Sequence, residues 1–124
     1  MSLLRSVGAV IVGYLLFAIP AYAYFQITGQ APHQDAPPAV MLASAAVGVA
    51  AACLGGYTAA ALAGRRPSTH GVAVALVIAV GEIASLVSTL GHGPIWSQLS
   101  ALILMAPSAA IGGAIRARQH TTPT

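Results

Sequence analysis

The residues best suited to chemistry in this chain surround one carboxylate, Glu82, in the apolar stretch IAVGEIASLVST at residues 78–89. An acidic side chain at the centre of a membrane span costs on the order of 3 kcal/mol, so it is expected to face protein or water rather than lipid. Desolvation also favours its neutral form, which can donate a hydrogen bond or carry a proton. Glu82 is therefore the first candidate functional residue.

Three polar residues follow Glu82 at helical spacing. Ser85, Thr89 and His92 come next on the same helical face, because all four side chains fall within an arc of about 80°. In one interpretation they line a hydrated path for a proton or a cation. In the other, Glu82 makes a structural hydrogen bond across helices and the hydroxyls bond to their own preceding turn. A lone carboxylate without a second charged partner favours the structural interpretation.

Other reactive combinations are sparse. His33, Asp35 and His92 could converge as metal ligands, but they come from two loops without a ligand-spacing motif, so no metal site is expected. The sequence contains no phosphate-binding loop, cysteine pair or nucleophile motif, so neither a cofactor nor enzymatic activity is expected. Further polar partners for Glu82 could come from other helices, namely Tyr14, Tyr57, Thr58, Ser97, Ser100 and Ser108.

The composition predicts a membrane protein. Of the 124 residues, 57% are hydrophobic and 6% are charged, whereas about a quarter of the residues in soluble domains are charged. The apolar residues form four blocks, each long enough to cross roughly 30 Å of hydrocarbon. We predict one all-α domain over 1–124, an integral membrane four-helix bundle with helices at about 7–25, 39–63, 71–90 and 95–115 and a short polar tail at 116–124.

The arginines predict the orientation of this bundle. All five fall on one side of a four-span chain, which the positive-inside rule assigns to the cytoplasm; they are Arg5, Arg65, Arg66, Arg116 and Arg118. Both termini are then expected in the cytoplasm of a bacterium, with the chain in its inner membrane. Trp96 and the aromatic residues near the end of the first helix anchor the opposite side. The basic balance has too few charges to indicate nucleic-acid binding.

The N-terminus has a second interpretation. Arg5, the apolar stretch after it and the small residues AYA at 21–23 are also typical of a signal peptide and its cleavage site. A permanent first helix is the favoured interpretation. Cleavage would leave three helices with the same loop orientation.

The second helix is rich in small residues. A small residue recurs at every fourth position, at Ser44, Gly48, Ala52, Gly56, Ala60 and Gly64. Helices associate in lipid through close packing, so such a ridge predicts a position at the centre of the bundle, and a homodimer seam is the alternative. A shorter pattern that includes Ala110 and Gly113 marks the fourth helix as its partner.

The junction GGYTAAALAGRRPSTHG at residues 55–71 resembles the end of the second helix in small multi-pass bacterial membrane proteins of uncharacterised function. That resemblance implies a multi-pass fold and carries no activity. Locally, Gly64 can end the helix and Pro67 prevents its continuation. In size and number of spans the chain also looks like small multidrug-resistance transporters, but their essential acid lies in the first helix, so their sites do not transfer to this chain.

These features predict a non-enzymatic integral membrane protein that acts as an accessory or scaffold subunit, or as a homo-oligomeric module. Its expected partners are the lipid bilayer and copies of itself or a larger membrane complex. The alternative is a small proton- or cation-coupled transporter or channel that uses Glu82.

Overall fold

A computed structural model describes residues 3–29, 37–64, 66–91 and 95–121. These residues form helices and the turns beside them, with no strand among them: α1 (Leu3–Thr28), α2 (Pro38–Ala63), α3 (Pro67–Thr89), α4 (Trp96–Ser100), a π-helical turn (Ala101–Met105) and α5 (Ala106–Thr121). The last three are continuous and together make the fourth helix of the bundle. Four helices are long and apolar enough to cross a membrane, which confirms the predicted all-α, four-span fold.

The short connection between α2 and α3 explains where these helices end and begin. Gly64 adopts a left-handed conformation (φ 77°), and its N–H bonds to the carbonyl of Ala60, so it caps α2. Arg66 is also left-handed (φ 46°), and Pro67 then occupies the first turn of α3, where its missing N–H has no helical partner to lose. Helix α3 therefore begins four residues before the boundary expected at 71.

Helix α2 lies against all three other spans. Its contact with α5 is so close that an alanine Cβ at Gly56 would lie 2.7 Å from the carbonyl carbon of Ala109 and nearer still to its oxygen. Gly13 on α1 faces Gly55 in a comparable crossing, and Gly71 on α3 faces Gly113. Because backbones meet directly at these points, the contacts need glycine rather than merely a small residue.

The residues predicted to pack helices occupy mixed environments. Five of the six ridge positions on α2 are buried within the chain, namely Ser44, Gly48, Ala52, Gly56 and Ala60, whereas Gly64 is exposed. On α5, Gly113 is buried but Ala110 is only half-buried. The buried line there runs through Ala106, Ala109, Gly112 and Gly113. The α2 ridge is therefore occupied by other helices of the same chain.

The two ends of the bundle differ in chemistry. Arg5, Arg66, Arg116 and Arg118 lie at one end, called here the arginine end, where the Nε of Arg5 donates a 2.8 Å hydrogen bond to the carbonyl of Leu62. The opposite, aromatic end carries Tyr22, Tyr24, Phe25 and Trp96. Arg65 lies outside the described residues. Which end faces the cytoplasm stays a prediction.

Candidate functional site

The half of the bundle toward the aromatic end contains a cavity of about 210 Å³. Every span contributes to its wall, so the site exists only once all four helices have packed. Helix α1 supplies Phe17, Ala21, Tyr22, Tyr24 and Phe25; α2 supplies Ser44; α3 supplies Glu82 and Ser85; and the fourth helix supplies Trp96, Ser100, Ala101 and Met105.

Glu82 lines this cavity and is partly buried. Among the residues that the structure describes, none forms a hydrogen bond or ion pair with its carboxylate. In a segment long and apolar enough to span a membrane, an acidic group is expected to face the bundle interior or a water-filled cavity rather than lipid. The chain thus places its one intramembrane acid at an open space rather than against a fixed protein partner.

The serines around the cavity differ in how their hydroxyl groups are used. Ser44 Oγ donates a 2.9 Å hydrogen bond to the carbonyl of Met41 in its own helix. Ser100 Oγ is buried and has no partner among the described residues. A buried hydroxyl without a partner costs about 1–3 kcal/mol relative to a bonded one. Ser100 thus belongs to the wall, but its hydroxyl oxygen is neither bonded to a described residue nor open to a water-sized molecule in the cavity.

A π-helical turn shapes the cavity wall on the fourth helix. It spans Ala101–Met105, and its two buried residues, Ala101 and Met105, both line the cavity. Pro107 lies two residues after this turn. In an α-helix its ring would collide with the carbonyl of Ile103, which here lies in the widened turn. The sequence thus has a local reason for the irregular turn, and π-helical turns of this kind are frequent at functional sites.

Aromatic rings form the wall of the cavity nearest the aromatic end. The ring centroids of Phe25 and Trp96 are 6.0 Å apart, and those of Tyr24 and Phe25 are 5.7 Å apart in an edge-to-face arrangement. The Tyr24 hydroxyl donates a 3.2 Å hydrogen bond to the carbonyl of Val40, which ties α1 to α2. Tyr22 is 68% exposed, so the cavity reaches the surface of the bundle beside this residue.

The predicted polar stripe on α3 divides into two parts. Glu82 and Ser85 line the cavity, but Thr89 does not, and His92 lies outside the described residues. Thr89 Oγ1 donates a 2.9 Å bond to the carbonyl of Ser85 and accepts a 3.0 Å bond from the amide nitrogen of Gln98. The hydroxyls beyond Glu82 are therefore joined in a protein network, as the structural interpretation of the stripe expects, while Glu82 itself is not.

Gln98 is the residue that sequence reasoning missed. It is completely buried, and its Nε2 also lies 3.4 Å from Ser85 Oγ as a donor. A buried primary amide in a membrane helix needs several partners, and α3 supplies two of them. The available signal was a glutamine between Ser97 and Leu99 in a largely apolar segment, but only the packing of the fourth helix against α3 shows which polar groups meet.

Neither a cluster of metal ligands nor His70 belongs to the described wall of the cavity. The described part of the chain contains no cluster of three or more His, Cys, Asp or Glu side chains that could hold a metal ion, and the weighed ligands His33, Asp35 and His92 lie outside that part. His70 is buried at the start of α3, where its Nδ1 lies 3.0 Å from the carbonyl oxygen of Arg66. His70 thus serves the helix terminus.

Comparison of the chain with protein-family models, with curated proteins and with solved structures found no match. Function must therefore be inferred from the site itself. What the site offers is one carboxylate without a described partner in a largely apolar and aromatic cavity.

Proposed function

We propose that this protein is a small, non-enzymatic membrane transporter or channel that binds a proton or a cation at Glu82. The observation that carries the proposal is the placement of the Glu82 carboxylate at the cavity without a described hydrogen-bond partner. A buried structural acid normally bonds to a neighbouring group, because an unpaired polar group in low dielectric is costly. An acid that must exchange a proton or bind a cation has to remain accessible.

The cavity suggests how exchange would work. With the site empty, protonation removes the cost of holding a charge in a medium of low dielectric. A cation that enters the cavity offsets the negative charge directly, so the carboxylate can release its proton to accept it. One acidic group that holds either a proton or a cation, but not both, couples the two by competition. The proposal places the chain in a bacterial cytoplasmic membrane, with the arginine end inside as the positive-inside rule predicts.

Flux through liposomes tests this proposal. The purified protein is reconstituted, and proton or cation movement is followed by dyes under an imposed gradient, beside Glu82→Gln and Ser88→Ala. Glu82→Gln keeps the shape and the capacity for hydrogen bonds but cannot ionise, so flux should fall at least tenfold. Ser88 is an exposed residue on the same helix and outside the cavity wall, so its variant should conduct as the native protein does. Equal flux from Glu82→Gln and the native protein would contradict the proposal.

An accessory or homo-oligomeric role is the second candidate, and one surface favours it. An apolar groove between α1 and α3 is lined by Tyr14, Leu76, Val77, Val80 and Gly81. The Tyr14 hydroxyl makes no hydrogen bond to any residue that the structure describes, although it lies within a span. A second copy or another membrane protein could supply the partner, whereas the α2 ridge is occupied by the chain's own helices. Native mass measurement in mild detergent tests this role: a monomer without any copurifying protein would count against it.

A further inference from the structure

We infer that the substrate bound beside Glu82 is an apolar organic monocation, an ammonium group carrying one aromatic ring or alkyl groups of similar bulk, rather than a metal cation. This inference rests on the proposed function and names the substrate class of the same cavity. It is carried by three observations: the aromatic wall, the shortage of unengaged oxygen atoms, and the size and single charge of the site.

The first observation is the composition of the wall. Five of the twelve described residues of the wall are aromatic: Phe17, Tyr22, Tyr24, Phe25 and Trp96. Aromatic faces attract cations within about 6 Å of the ring centroid, most strongly when both partners are shielded from water. Alkylated ammonium groups gain most from such a wall because their methyl and methylene groups also pack against the rings. The carboxylate of Glu82 would supply the remaining counter-charge.

The second observation is the shortage of oxygen ligands. Hard metal cations take about six oxygen atoms in place of their water shell. Here the Ser85 oxygen already accepts from Gln98, and the Ser100 oxygen is shielded from the cavity. The hydroxyls of Ser44 and Tyr24 donate to backbone carbonyls but keep their lone pairs. Among the described side chains of the wall, the oxygens left to a cation are the two of Glu82 and one each of Ser44, Tyr24 and the exposed Tyr22, fewer than six. The site therefore suits a cation that is weakly hydrated and needs few ligands.

The third observation combines size with charge. The volume of about 210 Å³ is smaller than the roughly 300–1,000 Å³ of pockets that take drug-sized ligands. One ring with a small ammonium group is of the appropriate size. Among the residues that the structure describes, the wall contains a single acidic residue, which balances one positive charge, and a dication would keep an uncompensated charge in a low-dielectric site.

A matched pair of probes tests the inference. Benzyltrimethylammonium has the expected charge and size, and neopentylbenzene has nearly the same shape with carbon in place of the charged nitrogen. Trp96 is the only tryptophan of the chain and lines the cavity, so its fluorescence reports occupancy directly in the full-length protein. We expect a saturable change in emission with the ammonium probe and at least tenfold weaker binding of the neutral probe.

Three variants separate charge, aromatic contact and folding. Glu82→Gln should weaken ammonium binding at least tenfold and leave binding of the neutral probe unchanged, whereas Glu82→Asp, which keeps the charge, should retain saturable binding. Phe25→Leu removes a ring of the wall but keeps an apolar side chain, and it should weaken ammonium binding by roughly threefold to thirtyfold. Circular dichroism checks that each variant keeps its helices.

The outcomes distinguish this inference from the proposed function. Glu82-dependent flux of protons or sodium without saturable ammonium binding would overturn the substrate class and leave the transporter proposal standing. Equal binding of the two probes, or equal ammonium binding by native protein and folded Glu82→Gln, would also overturn the substrate class. Absence of both flux and binding would remove both proposals. Binding that depends on Glu82 and on the positive charge is the result that supports the inference.

Discussion

The two halves of the bundle pack in different ways. In the half toward the arginine end, helices meet backbone to backbone. Gly55 faces Gly13, Gly56 faces Ala109, and Gly71 faces Gly113. In the half toward the aromatic end, α2 meets the fourth helix through the side chain of Met105, which lies over Gly48. The cavity, the π-helical turn and Glu82 all lie in this second half.

This difference indicates that one half of the bundle fixes the positions of the helices and the other half can adapt. Backbone contact leaves no flexible group that can move, so it fixes the positions of the helices. Contact through methionine and aromatic side chains fills space less completely and can adapt, because methionine has three rotatable bonds. A bundle held rigidly at one half can therefore keep a partly polar cavity in the other without losing its fold.

The largest expected effect is at Gly56. Gly56→Ala would drive a methyl group into the Ala109 carbonyl, and neither backbone can give way without separating α2 from α5. Overpacking of this kind costs about 1–3 kcal/mol and occasionally more, and a rigid backbone neighbour favours the upper end, about 3 kcal/mol. The loss should appear as unfolding at a lower fraction of dodecyl sulfate in mixed micelles, followed by circular dichroism.

Gly8 supplies the matched control for this change. It lies in α1, where an added Cβ would have no described atom within 4 Å apart from its chain neighbours and its own helix backbone, so Gly8→Ala has the same chemistry without the collision. Its unfolding midpoint should equal or slightly exceed that of the native protein, since alanine favours helix over glycine. If Gly56→Ala were as stable as Gly8→Ala, the arginine half would not be the rigid part of the molecule.

A smaller effect on stability is expected at Gly48, although it belongs to the same α2 ridge. An alanine Cβ there would lie 2.5 Å from Met105 Sδ, and a methionine side chain can rotate away at a cost of about 1 kcal/mol. Because Met105 lines the cavity, its displacement should reduce the space for a ligand. Gly48→Ala should thus stay folded but bind benzyltrimethylammonium more weakly, measured through Trp96 fluorescence.

The opposite order of stability for these two variants would contradict the assignment of the rigid half. If Gly48→Ala unfolded more readily than Gly56→Ala, the side-chain contact with Met105 would be the rigid one. If Gly48→Ala kept full affinity, Met105 would not control the space beside Glu82.

The fold could be predicted from the sequence because it depends on features that lie along the chain. Apolar blocks long enough to span a membrane predict four helices, and Gly64 and Pro67 mark the turn between two of them. The cavity could not be predicted, because it depends on where helices meet. The hydrogen bond from Gln98 to Thr89 forms only when the fourth helix packs against α3. Pro107 predicts a distortion of its helix, but it does not specify a π-helical turn that places Ala101 and Met105 at the cavity.

An effect no larger than that at Gly48 is expected at Gln98, and it tests whether the polar network helps to hold the aromatic half together. Gln98→Leu removes the donor to Thr89 and Ser85 while keeping much of the buried volume. Side-chain hydrogen bonds within membranes average about 0.6 kcal/mol and reach about 1.7, so we expect a loss of about 1 kcal/mol. Faster amide hydrogen exchange should be confined to the last turns of α3.

Gln119→Leu is the corresponding change at the arginine end. Gln119 Oε1 accepts a hydrogen bond from the Tyr57 hydroxyl, but this residue is exposed, where water replaces a lost partner. Its unfolding midpoint should therefore stay close to that of the native protein. A loss at Gln98 that approached the one at Gly56 would mean that buried hydrogen bonds fix the helices around the cavity as firmly as backbone contact does elsewhere. A loss no larger than at Gln119 would assign the position of α3 to apolar packing alone.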